Sequence, residues 1–195
     1  DPPVKSAQRV LITGAGSGLG QALAHRFAAN GAQVACVDIQ PERLQATLAT
    51  LSGSGHGVFT ADVSNDDSMQ AMAEAVLAEW GVPDVLINNA GIASGGDVLE
   101  APISEWRQLW EVNVLSVVRG TKLFLPAMLK RGSGHVVSTA SFAGLAGAPG
   151  LMTYGVSKAA VVAFSEQLRA ECHGTEVDVS VICPAFFKTN LMQST

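Results

Sequence analysis

Tyrosine is almost missing from this chain: one residue, Tyr154, in 195. Cysteine is nearly as scarce. Cys36, Cys172 and Cys183 are odd in number and lack CxxC spacing, which argues against a metal or redox site built from them and leaves buried thiols in a reducing compartment. His25, His56, His135 and His173 are scattered without metal-ligand spacing, so no metal site is expected. Positive charge is thin as well. Twelve Lys plus Arg against 17 Asp plus Glu give a formal net charge of -5, with no basic stripe to grip a phosphate backbone, and nucleic acid is not an expected partner. Long apolar runs are lacking although the chain is 48% hydrophobic: Asp, Arg, Glu, Gly or Pro interrupts each before it reaches the roughly 18 residues that span a bilayer. No membrane anchor is expected. The first residues, DPPVKSAQ, are polar and contain neither an initiator Met nor an apolar signal region, which leads to the expectation of a cytoplasmic protein.

The length suits a single domain over residues 1–195, and no repeat, charge run or low-complexity linker divides it. RVLIT (9–13), QVACVD (33–38), GVFTAD (57–62), DVLINN (84–89), GHVVST (134–139) and DVSVIC (178–183) read as six strands. They are too uniformly apolar for a sheet with one wet face, so they are expected to run parallel, covered on both sides. Between the first two, Leu19, Ala22, Leu23 and Phe27 form a helical stripe that stops at Asn30-Gly31. Ser64 with Asp67 resembles a capping box opening the stripe Met69, Met72, Ala73, Val76, Leu77 and Trp80, which ends at Gly81 and serves either the core or a methionine-lined groove. Pro41 suits the first turn of another helix, and Ser104 the cap of a long one reaching Lys130 and Arg131, bent late by Pro126. Strands and helices thus alternate. Right-handed crossovers then give a three-layer, doubly wound parallel α/β sheet whose ligand crevice lies beyond the carboxyl ends of the strands.

The first strand runs into TGAGSGLG, residues 13–20, and then into a helix. Glycines there let main-chain amides and the helix N-terminus face a pyrophosphate, or simply make a tight connection. The pattern that fits is TGxxxGxG, with Gly14, Gly18 and Gly20. Asp38 ends the second strand eighteen residues after Gly20, near the spacing at which a carboxylate reaches the adenosine ribose of a dinucleotide; its alternative role is to open the turn before Gln40-Pro41. A carboxylate accepts from both ribose hydroxyls and repels a 2′-phosphate, and neither Ser17 nor Ile39 supplies a compensating cation. NAD is expected rather than NADP.

The single tyrosine stands four positions before a lysine, in TYGVSKAA (153–160), so that Tyr154 and Lys158 share one helix face. Such a pair is surface decoration or chemistry. A free phenol has a pKa of about 10 and stays protonated at neutral pH. An adjacent ammonium, helped by a positively charged nicotinamide ring, favours the phenolate and would let the phenol serve as general base toward an alcohol or general acid toward a carbonyl.

Together these stretches resemble the short-chain dehydrogenase/reductase family over essentially the whole chain. The family's glycine pattern is matched by TGAGSGLG, its adenine-pocket acid by Asp62 followed by Val63, and its NNAG element by Asn88 to Gly91. Its helix asparagine is matched by Asn113, its serine by Ser141, its YxxxK by Tyr154 and Lys158, and the segment after the sixth strand by PAFFKT, residues 184–189. The resemblance implies a Rossmann fold, a catalytic set of Asn113, Ser141, Tyr154 and Lys158, and a cofactor lined by Gly14, Ser17, Gly18, Leu19, Gly20, Asp38, Asp62, Val63, Asn89, Gly91, Pro184, Phe187 and Thr189 with Tyr154 and Lys158. It also assigns roles. Tyr154 would exchange a proton with the substrate oxygen, Ser141 would hydrogen-bond that oxygen, Lys158 would hold the nicotinamide ribose, Asn113 would support a water relaying protons, and Thr189 would meet the carboxamide. Counting back thirteen residues from Tyr154 selects Ser141 over Ser138, which belongs inside the strand.

Two departures stand out. Ala185 replaces the usual glycine after Pro184, and the sequence stops at Thr195, where family members continue through a substrate loop, further helices and a seventh strand. The chain is therefore read as lacking that loop and strand. Phe142, Leu145, Leu151, Met152, Phe186, Phe187 and Met192 flank the expected crevice or belong to the core; the first case points to an apolar small-molecule alcohol or ketone. Leu115, Val118, Val161 and Phe164 are read as outer positions of the helices that pair family members across a two-fold axis, which implies a homodimer or homotetramer. The expected activity is NAD-dependent interconversion of a secondary alcohol and a ketone. Alternatives are an NADP-dependent carbonyl or 3-oxoacyl reductase, or a catalytically silent NAD-binding sensor, for which an acid/base tyrosine has no use.

Overall fold

In the computed structural model, which describes residues 7–184, the apolar runs pair side by side. Strands β1 (Arg9–Thr13), β2 (Gln33–Asp38), β3 (Gly57–Thr60), β4 (Val85–Asn88), β5 (Gly134–Thr139) and β6 (Val177–Ile182) form one sheet in the order β3-β2-β1-β4-β5-β6, with every pairing parallel. The order reverses beside β1, which opens the crevice at the carboxyl ends of β1 and β4. Three expected strands, 57–62, 84–89 and 178–183, end early, the first two for visible local reasons. Ala61 still donates to the Asp38 carbonyl (3.0 Å), but Asp62 turns away to bind Ser64; Asn89 leaves the ladder because its N–H is taken by Thr13 Oγ1.

Alternation along each strand sends side chains to two cores. Val10, Ile12, Val34, Cys36 and Ile87 pack with Ala24, Ala28 and Leu44 from α1 (Gly18–Ala29) and α2 (Pro41–Thr50). Leu11, Ala35, Val37, Leu86 and Val136 pack with Met69, Met72, Phe124, Met128 and Leu168 from α3 (Asp66–Ala75), α5 (Ser116–Arg131) and α6 (Met152–Glu171). The methionine stripe is therefore core. Burial of the Cys36 thiol in the first of these cores pushes its pKa up to about 12, consistent with an inert structural cysteine.

The face of α1 differs from the expected stripe. Gly20, Ala24 and Ala28 are the buried positions, Leu23 and Phe27 only flank them, and Ala22 is exposed. Small residues win because α1 lies hard against the glycine turn: a Cβ on Gly20 would sit 2.1 Å from the Gly14 carbonyl oxygen. The cap of α3 is Asn65, whose side chain accepts from Ser68 N (2.8 Å), and not Ser64, whose hydroxyl donates to Asp62 instead. Ser104 likewise caps nothing. The first helical turn of α4 (Ile103–Leu109) begins after Pro102, and α4 continues through a wide π turn, Trp110–Leu115, into α5. That continuous stretch, Ile103–Arg131, is long and apolar enough by length and composition to cross a membrane, against the reading of interrupted runs; 44% of its apolar window is buried, with Phe124 and Met128 in the core. Val161, read as an outer position, is buried with Val117 and Ala140.

Phe124 is fully buried at the centre of the larger core. Phe124→Ala is expected to lower unfolding free energy by about 3–5 kcal/mol, read from equilibrium urea denaturation, because the ring's contacts are lost and a cavity remains.

Candidate active site

At the end of β1 the chain turns through glycines at positive φ, Gly14 (67°) and Gly18 (53°), before α1 begins. Ser17, Gly18 and Leu19 are half-buried at the helix start. Thr13 locks this turn to the NNAG segment: its hydroxyl oxygen accepts from Asn89 N (2.9 Å) and Ala90 N (3.0 Å), while the Asn89 side-chain amide donates to the Thr13 carbonyl (3.2 Å). Sequence reasoning gave Thr13 no role, although it opens the TGxxxGxG pattern. Asp38 stands at the rim of the turn, where its carboxylate accepts from Gly16 N and Gln40 N, both at 3.0 Å. The contact to Gln40 N is the turn-opening role read from the sequence. Beside it Ile39 is 58% exposed. Asp62 is fixed from within its own turn, its Oδ1 accepting from Ser64 N (2.9 Å) and the Ser64 hydroxyl (2.6 Å), with Val63 half-buried next to it.

The second half of the site is assembled around α6. Lys158 is 4% exposed and donates to the Thr139 carbonyl at the end of β5 (3.2 Å), its Nζ lying 5.8 Å from the centroid of the Tyr154 ring one turn earlier. Burial lowers the Lys158 pKa from 10.5 to about 8. Asn113, 1% exposed in the π turn, accepts from Ile92 N (2.8 Å) and donates to Ile92 O (2.9 Å) and to Ser157 Oγ (3.0 Å). Ser157 in turn donates to the Tyr154 carbonyl (2.8 Å). Ser157 was missed from sequence because a serine between Tyr154 and Lys158 carries no signal of its own. Gly91 is the meeting point: a Cβ there would lie 3.1 Å from Lys158 Nζ and 3.2 Å from Asn113 Oδ1.

Ser141 follows β5 directly, and its Oγ accepts from Ala143 N (3.3 Å) at the head of the short turn Phe142–Gly144. That turn is pressed onto α6 at the lysine, since a Cβ on Gly144 would sit 2.7 Å from the Lys158 carbonyl carbon. Ser138 lies within β5, as the count from Tyr154 requires. The Pro184 carbonyl accepts from Phe142 N (3.2 Å), tying the end of the sixth strand to the serine turn. Phe187 and Thr189, with Ala185, Phe186 and Met192, lie outside the described residues. Around the serine and tyrosine, Phe142 (52% exposed), Leu145 (59%) and Met152 (37%) present apolar surface, and Leu151 is half-buried.

The sequence pattern described as short chain dehydrogenase matches residues 8–195. The chain belongs to that family. Meso-2,3-butanediol dehydrogenase of Serratia marcescens is 38% identical over 93% of this chain and 72% of its own length. A short chain dehydrogenase/reductase of Burkholderia phymatum, solved in complex with NAD, superposes with a TM-score of 0.88 at 38% identity over 96% of this chain and 68% of that one. Actinorhodin polyketide ketoreductase, solved with NADPH, gives 0.92 at 35% identity over 96% and 74%. The chain spans 32% of the length of the first curated relatives it matches, mycobacterial proteins 38% identical to it. Membership in the short chain dehydrogenase family accounts for the order in which the glycine turn, NNAG, Asn113, Ser141 and YxxxK converge on one crevice.

The lysine makes a pH test possible. Between pH 8 and 10.5 the unfolded chain keeps a proton that folded Lys158 has released, so the unfolded state binds more protons and stability rises with pH across that window. The rise from this group is expected to total about 3 kcal/mol, being the cost of burying the charge relieved as the proton leaves. In Lys158→Met that increment disappears from urea-denaturation curves taken across the window; a variant with the parent's pH slope would contradict the assignment.

Proposed function

We propose that the chain is an NAD-dependent oxidoreductase that interconverts a secondary alcohol and a ketone. The observation that carries this reading is the convergence of Tyr154, buried Lys158 and Ser141, through Thr139, Gly91 and Gly144, beside a glycine turn with positive φ at Gly14 and Gly18. The residues fit the cofactor. The Gly14 to Gly20 turn has positive φ at Gly14 and Gly18 and offers main-chain amides at a helix start, suited to a pyrophosphate, and the Asp38 carboxylate beside Gly16 N would accept from the hydroxyls of an adenosine ribose. When bound, the nicotinamide ring supplies or accepts the hydride.

The remaining chemistry belongs to this chain's own side chains. Ser141 Oγ accepts from Ala143 N, so its own proton is free to be donated to the substrate oxygen and to stabilise alkoxide character there. Tyr154 exchanges a proton with the same oxygen. Lys158, positively charged at neutral pH and screened from water, holds its ammonium 5.8 Å from the centroid of the Tyr154 ring one helical turn away, where it would also meet the nicotinamide ribose. Asn113 and Ser157 hold the tyrosine's turn of α6 to the Ile92 main chain, which limits the motion of the phenol relative to the crevice.

The preference for NAD rests on Asp38. Two main-chain amides hold its carboxylate at the rim, so a 2′-phosphate brought there meets a fixed negative charge. The preference for an apolar substrate rests on Phe142, Leu145 and Met152, and a diol dehydrogenase among the relatives agrees with a CH–OH donor. Trp110 (45% exposed) and Val156 (42%) lie on the helices through which the subunits of a dimer or tetramer would pair.

Tyr154→Phe is expected to lower alcohol oxidation by about a hundredfold to ten-thousandfold with NADH binding retained; turnover equal to the parent's would sink the proposal. Nicotinamide fluorescence should report tighter binding of NADH than of NADPH, and Asp38→Ser should narrow the gap by removing the charge that opposes the extra phosphate. A parent that prefers NADPH overturns the cofactor assignment and leaves the acid/base assignment standing.

A further inference from the structure

Arg119 lies six residues after Asn113 on α5, its side chain only 14% exposed, and binds three separate pieces of chain. Its Nε donates to Asp66 Oδ1 (2.5 Å) in the first turn of α3. Its Nη1 donates both to the Val63 carbonyl (3.1 Å) and to the Glu111 carbonyl (3.1 Å), and its Nη2 pairs with the Glu111 carboxylate. Glu111 belongs to the π turn that carries Asn113, and Val63 follows Asp62 in the turn assigned above to the adenine end of the cofactor. One guanidinium therefore joins the π turn that carries Asn113 to the Asp62–Ser64 turn and the start of α3.

Relative magnitudes say which of these contacts matters. Asp66 is 85% exposed, and an ion pair with so wet a partner contributes little to stability. The shared contact to two carbonyls is different in kind. Nη1 donates to both while Nε and Nη2 are engaged by Asp66 and Glu111, an arrangement that needs three coplanar nitrogens, which arginine has and lysine lacks. The other hydrogen bonds that fix the Asp62–Ser64 turn, from Ser64 to Asp62 Oδ1 and from Asp62 N to Ser68 Oγ (2.9 Å), arise within that turn and α3. Arg119 supplies a hydrogen bond to it from α5, across the packed faces of the two helices.

We propose that Arg119 is a positioning residue for the adenine half of the dinucleotide: it sets the Val63 main chain, and with it the Asp62 turn, in register with the π turn that holds Asn113. This inference rests on the dinucleotide reading of the site. Arg119 touches neither cofactor nor substrate in this scheme and acts through the Val63 carbonyl.

The test is calorimetric titration of 5′-AMP into the parent chain and into Arg119→Lys, Arg119→Met, Asp66→Asn and Met128→Ala, with thermal unfolding of each sample. Arg119→Lys keeps the charge beside Asp66 and Glu111 but not the fork, and should lose about tenfold in 5′-AMP affinity while unfolding close to the parent. Arg119→Met should lose at least as much. Asp66→Asn, which removes the exposed pair and keeps the carbonyl contacts, should bind as the parent does. Met128→Ala, a core truncation toward the C-terminal end of α5 that removes none of these hydrogen bonds, should lower stability and leave affinity unchanged. Parent-like affinity in both Arg119 variants overturns the proposal, and so does a loss in Met128→Ala that matches theirs, since affinity would then merely follow stability. A parent that binds neither 5′-AMP nor NADH overturns the dinucleotide reading and this inference with it.

Discussion

An ammonium taken out of water needs oxygen around it or it sheds its proton, and Lys158, 4% exposed with one carbonyl at 3.2 Å, sits between these outcomes. Much of the site follows from keeping that charge in place. The Thr139 carbonyl must end its strand beside α6, so β5 stops there. The NNAG segment must pass over the ammonium without a side chain, so position 91 is glycine. The serine turn must press onto the helix at the same level, so position 144 is glycine too. A lysine set farther out would be easier to build, but its field at the phenol would be screened by solvent.

The fold was legible because parallel sheets leave a strong trace. Strands buried on both faces read as unbroken apolar runs, and six of them with helices between admit few topologies. Detail failed where several residue types compete for one job. Ser64 and Asn65 both suit a helix start, and only the structure shows that Asp62 takes Ser64 first. The sheet-facing side of α1 escaped a search for large apolar residues because close approach to the glycine turn selects Gly20, Ala24 and Ala28.

The site divides in the same manner. Glycines, a lone tyrosine and a lysine one turn away are rare enough in combination to be noticed. Thr13, Ser157 and Arg119 are ordinary residues whose importance lies in which main-chain atoms they reach. Asn113 is intermediate: the order of motifs marked it, but the pairing of its amide with both main-chain groups of Ile92 depends on the wide turn at Trp110–Leu115. Such residues join segments distant in sequence, and spacing along the chain holds no trace of them.

Polar satisfaction is least complete beside the residues proposed for catalysis. Among the described residues, buried side-chain atoms without a hydrogen-bond partner occur at Asn88, Thr139 and Thr153. Asn88 begins NNAG, Thr139 gives its carbonyl to Lys158, and Thr153 precedes Tyr154. Each such atom costs about 1–3 kcal/mol of desolvation, and a fold selected for stability alone would replace it with an apolar side chain of similar shape. Their grouping beside Lys158 and Tyr154 fits the proposed proton exchange there, with the apolar cores on both sheet faces supplying the stability that offsets the cost.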